Sequence, residues 1–239
     1  MPDDLLNCDI PAELIRFDLP LINLATQFDR KRPAKIVAIG SSSTEGDGAS
    51  SQAFSYPSRL EAAMRLRLPD QEIAVINKGK GGEEAADELL RFNRDVLAEA
   101  PSLVIWQVGT NAAWKGYNLA NVAKAIETGL ARLRDLTMDV VLMDLQYAPA
   151  VLKPATIAAT ERMVALIADA AAKANVNIFR RFALMRHWNL DDQIPFDQMI
   201  SNFDGNELHQ NDWSYNCVAE ALTVAITGAA MGQTRSAAH

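Results

Sequence analysis

The chain has 239 residues, 49% hydrophobic and 22% charged, with a formal net charge of -7, two cysteines and three histidines. These figures exclude a disordered chain, a disulfide scaffold and a four-thiolate zinc site. The negative charge, with Lys and Arg scattered rather than clustered among aromatics, excludes nucleic acid as an expected partner. Without a run of about 18 apolar residues, no membrane span is expected. Any mechanism that needs an imidazole must draw on His187, His209 or His239.

In chain order, residues 1–34 read as an N-terminal arm with little pattern. The opening MPDDLLNCDIPAEL is acidic and lacks a signal peptide's basic start and apolar core, which at face value places the chain in the cytoplasm. A trimmed mature form would instead be periplasmic or secreted, with Cys8 and Cys217 joined in a disulfide; two buried free thiols are the alternative.

From Lys35 onward, short Val- and Ile-rich runs alternate with segments of helical period, the pattern of strand-helix units around a parallel sheet. The first strand is KIVAIG, ending at Gly40. A helix follows in YPSRLEAAMRLRL, with Pro57 in its first turn. The second strand is EIAVIN, ending at Asn77, and the next helix runs through Ala85, Leu89, Leu90 and Val96 until Pro101 stops it. SLVIWQVG and DVVLMDLQY are the third and fourth strands, apolar on both faces and so expected inside the sheet. The helix between them covers about Leu119 to Leu136. A long helix from about Ala155 to Ala174 precedes a fifth strand, VNIFRRF, at Val176 to Phe182. Residues 183–212 read as a long irregular connection, and the last helix covers about Trp213 to Met231. The sum is a three-layer α/β/α fold with five parallel strands in the flavodoxin-like order 2-1-3-4-5. The expected division is an arm at 1–34, one domain at 35–232 and a tail at 233–239.

Ligands of such sheets bind beyond the carboxyl ends of the strands. Three consecutive strands deliver GSSSTEG, NKGKGGEE and VGTNAAW there, and the segment before the last helix delivers DGNELHQNDW. Acyl transfer needs a nucleophilic hydroxyl, a base, an acid to orient the base, and donors for the oxyanion. Serine, His209, neighbouring acids, a glycine N–H and the Asn111 amide fill those roles. Neither a phosphate loop nor a G-x-S-x-G elbow is present.

These blocks resemble the GDSL or SGNH hydrolases. GSSSTEG matches G-D-S-L-T-x-G and places the nucleophile at Ser42, with Ser41 where Asp is usual and Ser43 where Leu is usual. NKGKGG matches N-x-G-x-x-G and assigns Gly82 to the oxyanion hole; VGTN matches G-x-N and assigns Asn111. The family carries Asp three residues before its His, where this chain has Asn206. Asp204 is favoured as the orienting acid, with DGNELH as a lengthened turn; Glu207 is the alternative acid, and a Ser42–His209 dyad is a third arrangement.

The resemblance implies a serine hydrolase cleaving a short-chain O-acyl ester, such as acetyl, through an acyl-enzyme. No cofactor or metal is expected, and the substrate class is a small-molecule or glycan-borne ester. The rival reading is a non-catalytic flavodoxin-like module that holds a small polar ligand or glycan. Outside the site, His187 is expected to pack near Trp188, and Asp212 to cap the last helix. Trp114 and Tyr147 are expected either to line the pocket or to sit in the core or rim, and Glu45, Glu83 and Glu84 to form a solvated acidic rim.

Overall fold

The computed structural model describes residues 8–203 and 205–232. Strands β1 (Ala34–Gly40), β2 (Ile73–Gly79), β3 (Leu103–Gln107), β4 (Asp139–Met143) and β5 (Asn177–Phe179) pair in parallel in the order β2-β1-β3-β4-β5. This is the expected order. The register pairs Gly40 with Gly79 and Ile39 with Trp106, which brings the carboxyl ends of the central strands together.

The strands read as unbroken apolar runs because both faces are covered. Ile36, Ala38, Leu103, Ile105, Val141 and Met143 join one core, which takes in helices Ile22–Asp29, Tyr56–Arg67, Arg181–Leu190 and Asp212–Met231. The residues between them, Val37, Ile39, Val104, Trp106, Val140 and Leu142, join the other, under helices Ala85–Leu90, Leu119–Leu133 and Ile157–Ala174. Period-2 alternation with apolar side chains on both faces is what a sheet between two helical layers requires.

Four expectations need correction. The arm is patterned: Leu21, Leu24 and Phe28 are buried, and Asn23 and Leu24 donate backbone N–H to Asp139 at 3.2 and 2.9 Å. The helix expected through Val96 breaks after Leu90, and Arg91 turns its guanidinium onto the Gly40 and Lys78 carbonyls at 3.0 and 2.7 Å. β5 ends at Phe179, because Asp144 Oδ1 accepts the Phe182 N–H at 2.9 Å and starts a helix at Arg181. That helix, Arg181–Leu190, and a short one at Phe196–Met199 occupy much of the segment read as irregular, with Leu184, Met185 and Trp188 in the core at helical spacing.

Cys8 and Cys217 form a disulfide with Cα atoms 5.5 Å apart, which fastens the arm to the last helix across 209 residues of sequence. His187 lies between carboxylates: Asp191 at 2.9 Å from Nδ1, and Asp9 at 3.1 Å from Nε2. No helix among the described residues is long and apolar enough to cross a membrane.

Candidate active site

Ser42 opens a one-turn helix, Ser42–Glu45, at the carboxyl end of β1. The turn lies so close to β2 that a Cβ on Gly79 would strike the backbone of Thr44 and Glu45. Only glycine allows this approach. The turn's polar side chains are gathered by Gln107 at the end of β3: its Oε1 accepts Ser41 N at 3.1 Å, Ser41 Oγ at 3.2 Å, Ser43 Oγ at 3.0 Å and Thr44 Oγ1 at 3.1 Å. Ser43 Oγ also accepts from the fully buried Arg181 at 2.9 Å, and Arg181 reaches Gln146 Oε1 at 2.8 Å and the Asp144 carbonyl at 2.9 Å. Ser41 and Ser43, the two departures from G-D-S-L, therefore both bond Gln107, as Thr44 does.

His209 arrives from the opposite direction. An antiparallel bridge between Ile200 and Gln210 closes the loop that carries it, and Ser201 N donates to the His209 carbonyl at 2.8 Å. His209 Nε2 lies 3.0 Å from Ser42 Oγ, and both residues are buried, at 8% and 7% exposure. Gly48, with φ +89°, packs on the imidazole stem; a Cβ there would stand 2.8 Å from His209 Cβ. The carboxylate of Asp47 is 4.0 Å from Nε2.

The other predicted residues border the same crevice. A Cβ built on Gly81 would be 3.9 Å from Ser42 Cβ, while one on Gly82 would meet only Lys115 Nζ at 4.0 Å, so this edge is open. Among the described residues, the backbone N–H groups of Ser42 and Gly82 have no protein acceptor. Asn111 Nδ2 donates to the Glu83 carbonyl at 2.8 Å, which fixes the amide beside Gly82 and leaves its second N–H for another acceptor. Glu207 lies apart, with its half-exposed carboxylate 3.5 Å from Lys153 Nζ. Asp204 falls outside the described residues, as does His239.

The acids expected as a solvated rim are structural. Glu84 is 4% exposed and accepts N–H bonds from Ala85, Gly109 and Ala112 at 3.0, 2.9 and 2.7 Å, tying the Gly82 loop to the Asn111 turn. Burial pushes its carboxyl up, against those three donors. Glu88 below it binds Trp106 Nε1 at 2.6 Å, and burial together with the Glu84 charge drives it well above the usual carboxylate range. Glu83 pairs with Arg91 at 2.6 Å, and Glu45 accepts Gly81 N at 2.5 Å. Asn211, not Asp212, caps the last helix, accepting Ser214 N at 3.1 Å.

A model of the Non-GDSL lipase-like family matches residues 7–231. The chain belongs to the Non-GDSL lipase-like family. The family's name fits a chain that reads Gly-Ser-Ser-Ser where the GDSL pattern has Gly-Asp-Ser-Leu. An acetylxylan esterase of Geobacillus stearothermophilus is 30% identical over 93 residues, 36% of this chain and 42% of that protein, so the match spans under half of the relative. The solved structure of a catalytic mutant of Axe2, an acetylxylan esterase from the same organism, superposes with a TM-score of 0.70 at 18% identity, over 82% of this chain and 96% of the other. A two-domain esterase active on acetylated mannans, CEX, superposes with a TM-score of 0.75 at 17% identity, over 93% of this chain and 57% of the other.

Within this Non-GDSL lipase-like chain, the residues missed by sequence reasoning are Gln107, Arg181, Glu84 and Gly48. Gln107 and Arg181 did carry a signal, since each is a polar residue within an apolar strand run.

Proposed function

We propose that the protein is a serine esterase that removes short acyl groups, principally acetyl, from hydroxyls of small-molecule or glycan-borne substrates. The observation that carries this reading is the buried Ser42–His209 contact of 3.0 Å, facing a crevice edge where Ser42 and Gly82 keep unengaged N–H groups among the described residues. The acetyl esterases among its relatives support the acyl length and the sugar alcohol. Family membership favours hydrolysis over the non-catalytic binding module.

The chemistry follows from the contacts. His209 Nε2 accepts the Ser42 proton as Oγ attacks the acyl carbon, so the resting imidazole carries its own proton on Nδ1. Charge develops on the carbonyl oxygen and is met by the N–H of Ser42, the N–H of Gly82 and the second amide N–H of Asn111. These donors are held in advance, Asn111 by Glu83 and the loop by Glu84. The imidazolium then protonates the leaving alcohol, and water, deprotonated by the same Nε2, releases the acid from Ser42. Asp204 is the proposed partner of Nδ1–H.

Ser42→Ala is expected to abolish acetate release from an aryl acetate, and near-normal turnover would overturn the reading. Asn111→Ala is expected to lower kcat by about 10²–10³-fold, the usual loss for one oxyanion donor.

A further inference from the structure

Phe203 exposes 92% of its surface. It borders an open depression of about 440 Å³, lined also by Gly48, Ser50, Ser201, Asp212 and Trp213. Its ring stands in solvent at the rim of that depression.

Two contacts join the depression to the proposed catalytic pair. Gly48 forms part of its wall and packs directly on the His209 stem. Asp47, the preceding residue, holds a half-exposed carboxylate oxygen 4.0 Å from His209 Nε2. The depression therefore opens on the His209 side of Ser42.

That side has a defined place in the chemistry. When the tetrahedral intermediate collapses, the bond from the acyl carbon to the alcohol oxygen breaks and its electron pair leaves with that oxygen. The oxygen takes the proton held at Nε2, and the acyl group stays on Ser42 Oγ. The departing oxygen thus lies at His209 while the carbonyl oxygen lies at Gly82 and Asn111, so the alcohol portion of the ester extends past His209.

We propose that the depression is the subsite for the neutral glycan segment that bears the leaving hydroxyl; this rests on the esterase reading above. Phe203 offers an apolar face for the C–H face of a pyranose, and Trp213 forms part of the depression's wall. Trp213 is braced edge-on by Trp188, with centroids 5.3 Å apart. Polar specificity comes from fixed acceptors: the Asp212 carboxylate is held by Ser50 N at 2.8 Å and Ser50 Oγ at 2.6 Å and retains lone pairs for sugar hydroxyls. Carboxyl side chains at Asp47 and Asp212 on this side disfavour acidic sugars.

The test compares wild type, Phe203→Ala and Phe203→Trp. It reads the ratio of kcat/KM for an acetylated xylo-oligosaccharide to kcat/KM for 4-nitrophenyl acetate. The expected result is a ratio lowered about tenfold in Phe203→Ala, equivalent to ~1.4 kcal/mol, and recovered in Phe203→Trp. In parallel, calorimetric binding of unacetylated xylohexaose is expected to weaken in Phe203→Ala by a similar factor. An unchanged ratio, or xylohexaose binding indifferent to Phe203, would overturn the subsite. So would a change in sedimentation of Phe203→Ala, which would make this face a contact between copies of the chain. If wild type hydrolyses neither ester, the esterase reading fails, and the xylohexaose arm alone decides the subsite.

Discussion

His209 Nε2 and Ser42 Oγ stand 3.0 Å apart although 167 residues separate them in sequence. The contact depends on two approaches that only glycine permits: Gly79 lets the Ser42 turn settle over β2, and Gly48 lets the His209 stem settle against the end of that turn. A side chain at Gly48 would also meet Ser201, whose N–H holds the His209 carbonyl.

The acid that orients His209 is tested by ranking two variants. Asp204→Ala is expected to lower kcat by about 10³–10⁴-fold, the scale on which a triad acid acts. Glu207→Ala is expected to change kcat little, since its carboxylate pairs with Lys153 at 3.5 Å in half-exposed surroundings. Steady-state kinetics on an aryl acetate measure both, and the opposite ranking would transfer the role to Glu207.

Glu84 is expected to matter for stability and turnover together. Glu84→Ala strips acceptors from the Gly109 and Ala112 N–H groups and leaves them buried. Each orphaned donor costs about 1–3 kcal/mol, so urea unfolding should show a loss of several kcal/mol. Turnover should fall as well, because the same carboxylate joins the Gly82 loop to the Asn111 turn. A variant with wild-type stability would contradict the bracing role.

Asp144 predicts a pH dependence. Burial pushes its carboxyl up to about 7, partly opposed by the Phe182 N–H and by Arg181. With the folded value above the ordinary one near 4, the folded state binds the extra proton, so stability is full at low pH and falls as pH rises from about 4 through 7. Asp144→Asn keeps an acceptor for the Phe182 N–H and removes the titration. Urea unfolding at pH 5 and pH 8 is expected to show the variant gaining on wild type as pH rises; parallel pH profiles would contradict this.

Strand order and the serine, glycine, asparagine and histidine blocks were legible because period-2 apolar runs and strand-end positions are local features. The supports were not. That Gln107 would collect four donors from the serine turn depends on β3 lying beside β1. That Arg181 would leave a strand pattern depends on Asp144 capping Phe182 across the sheet. Glu84 reads as a solvated acid until the Gly109 and Ala112 N–H groups converge on it. Leu184, Met185 and Trp188 did carry a helical signal, hidden by the polar residues around them.

The central claim is that His209 makes Ser42 a nucleophile, and labelling with a fluorophosphonate followed by peptide mass spectrometry tests it most directly. The expected result is one adduct per chain on Ser42 in wild type and none in His209→Ala. Absence of an adduct in folded wild type, an adduct on another residue, or undiminished labelling in His209→Ala would contradict it.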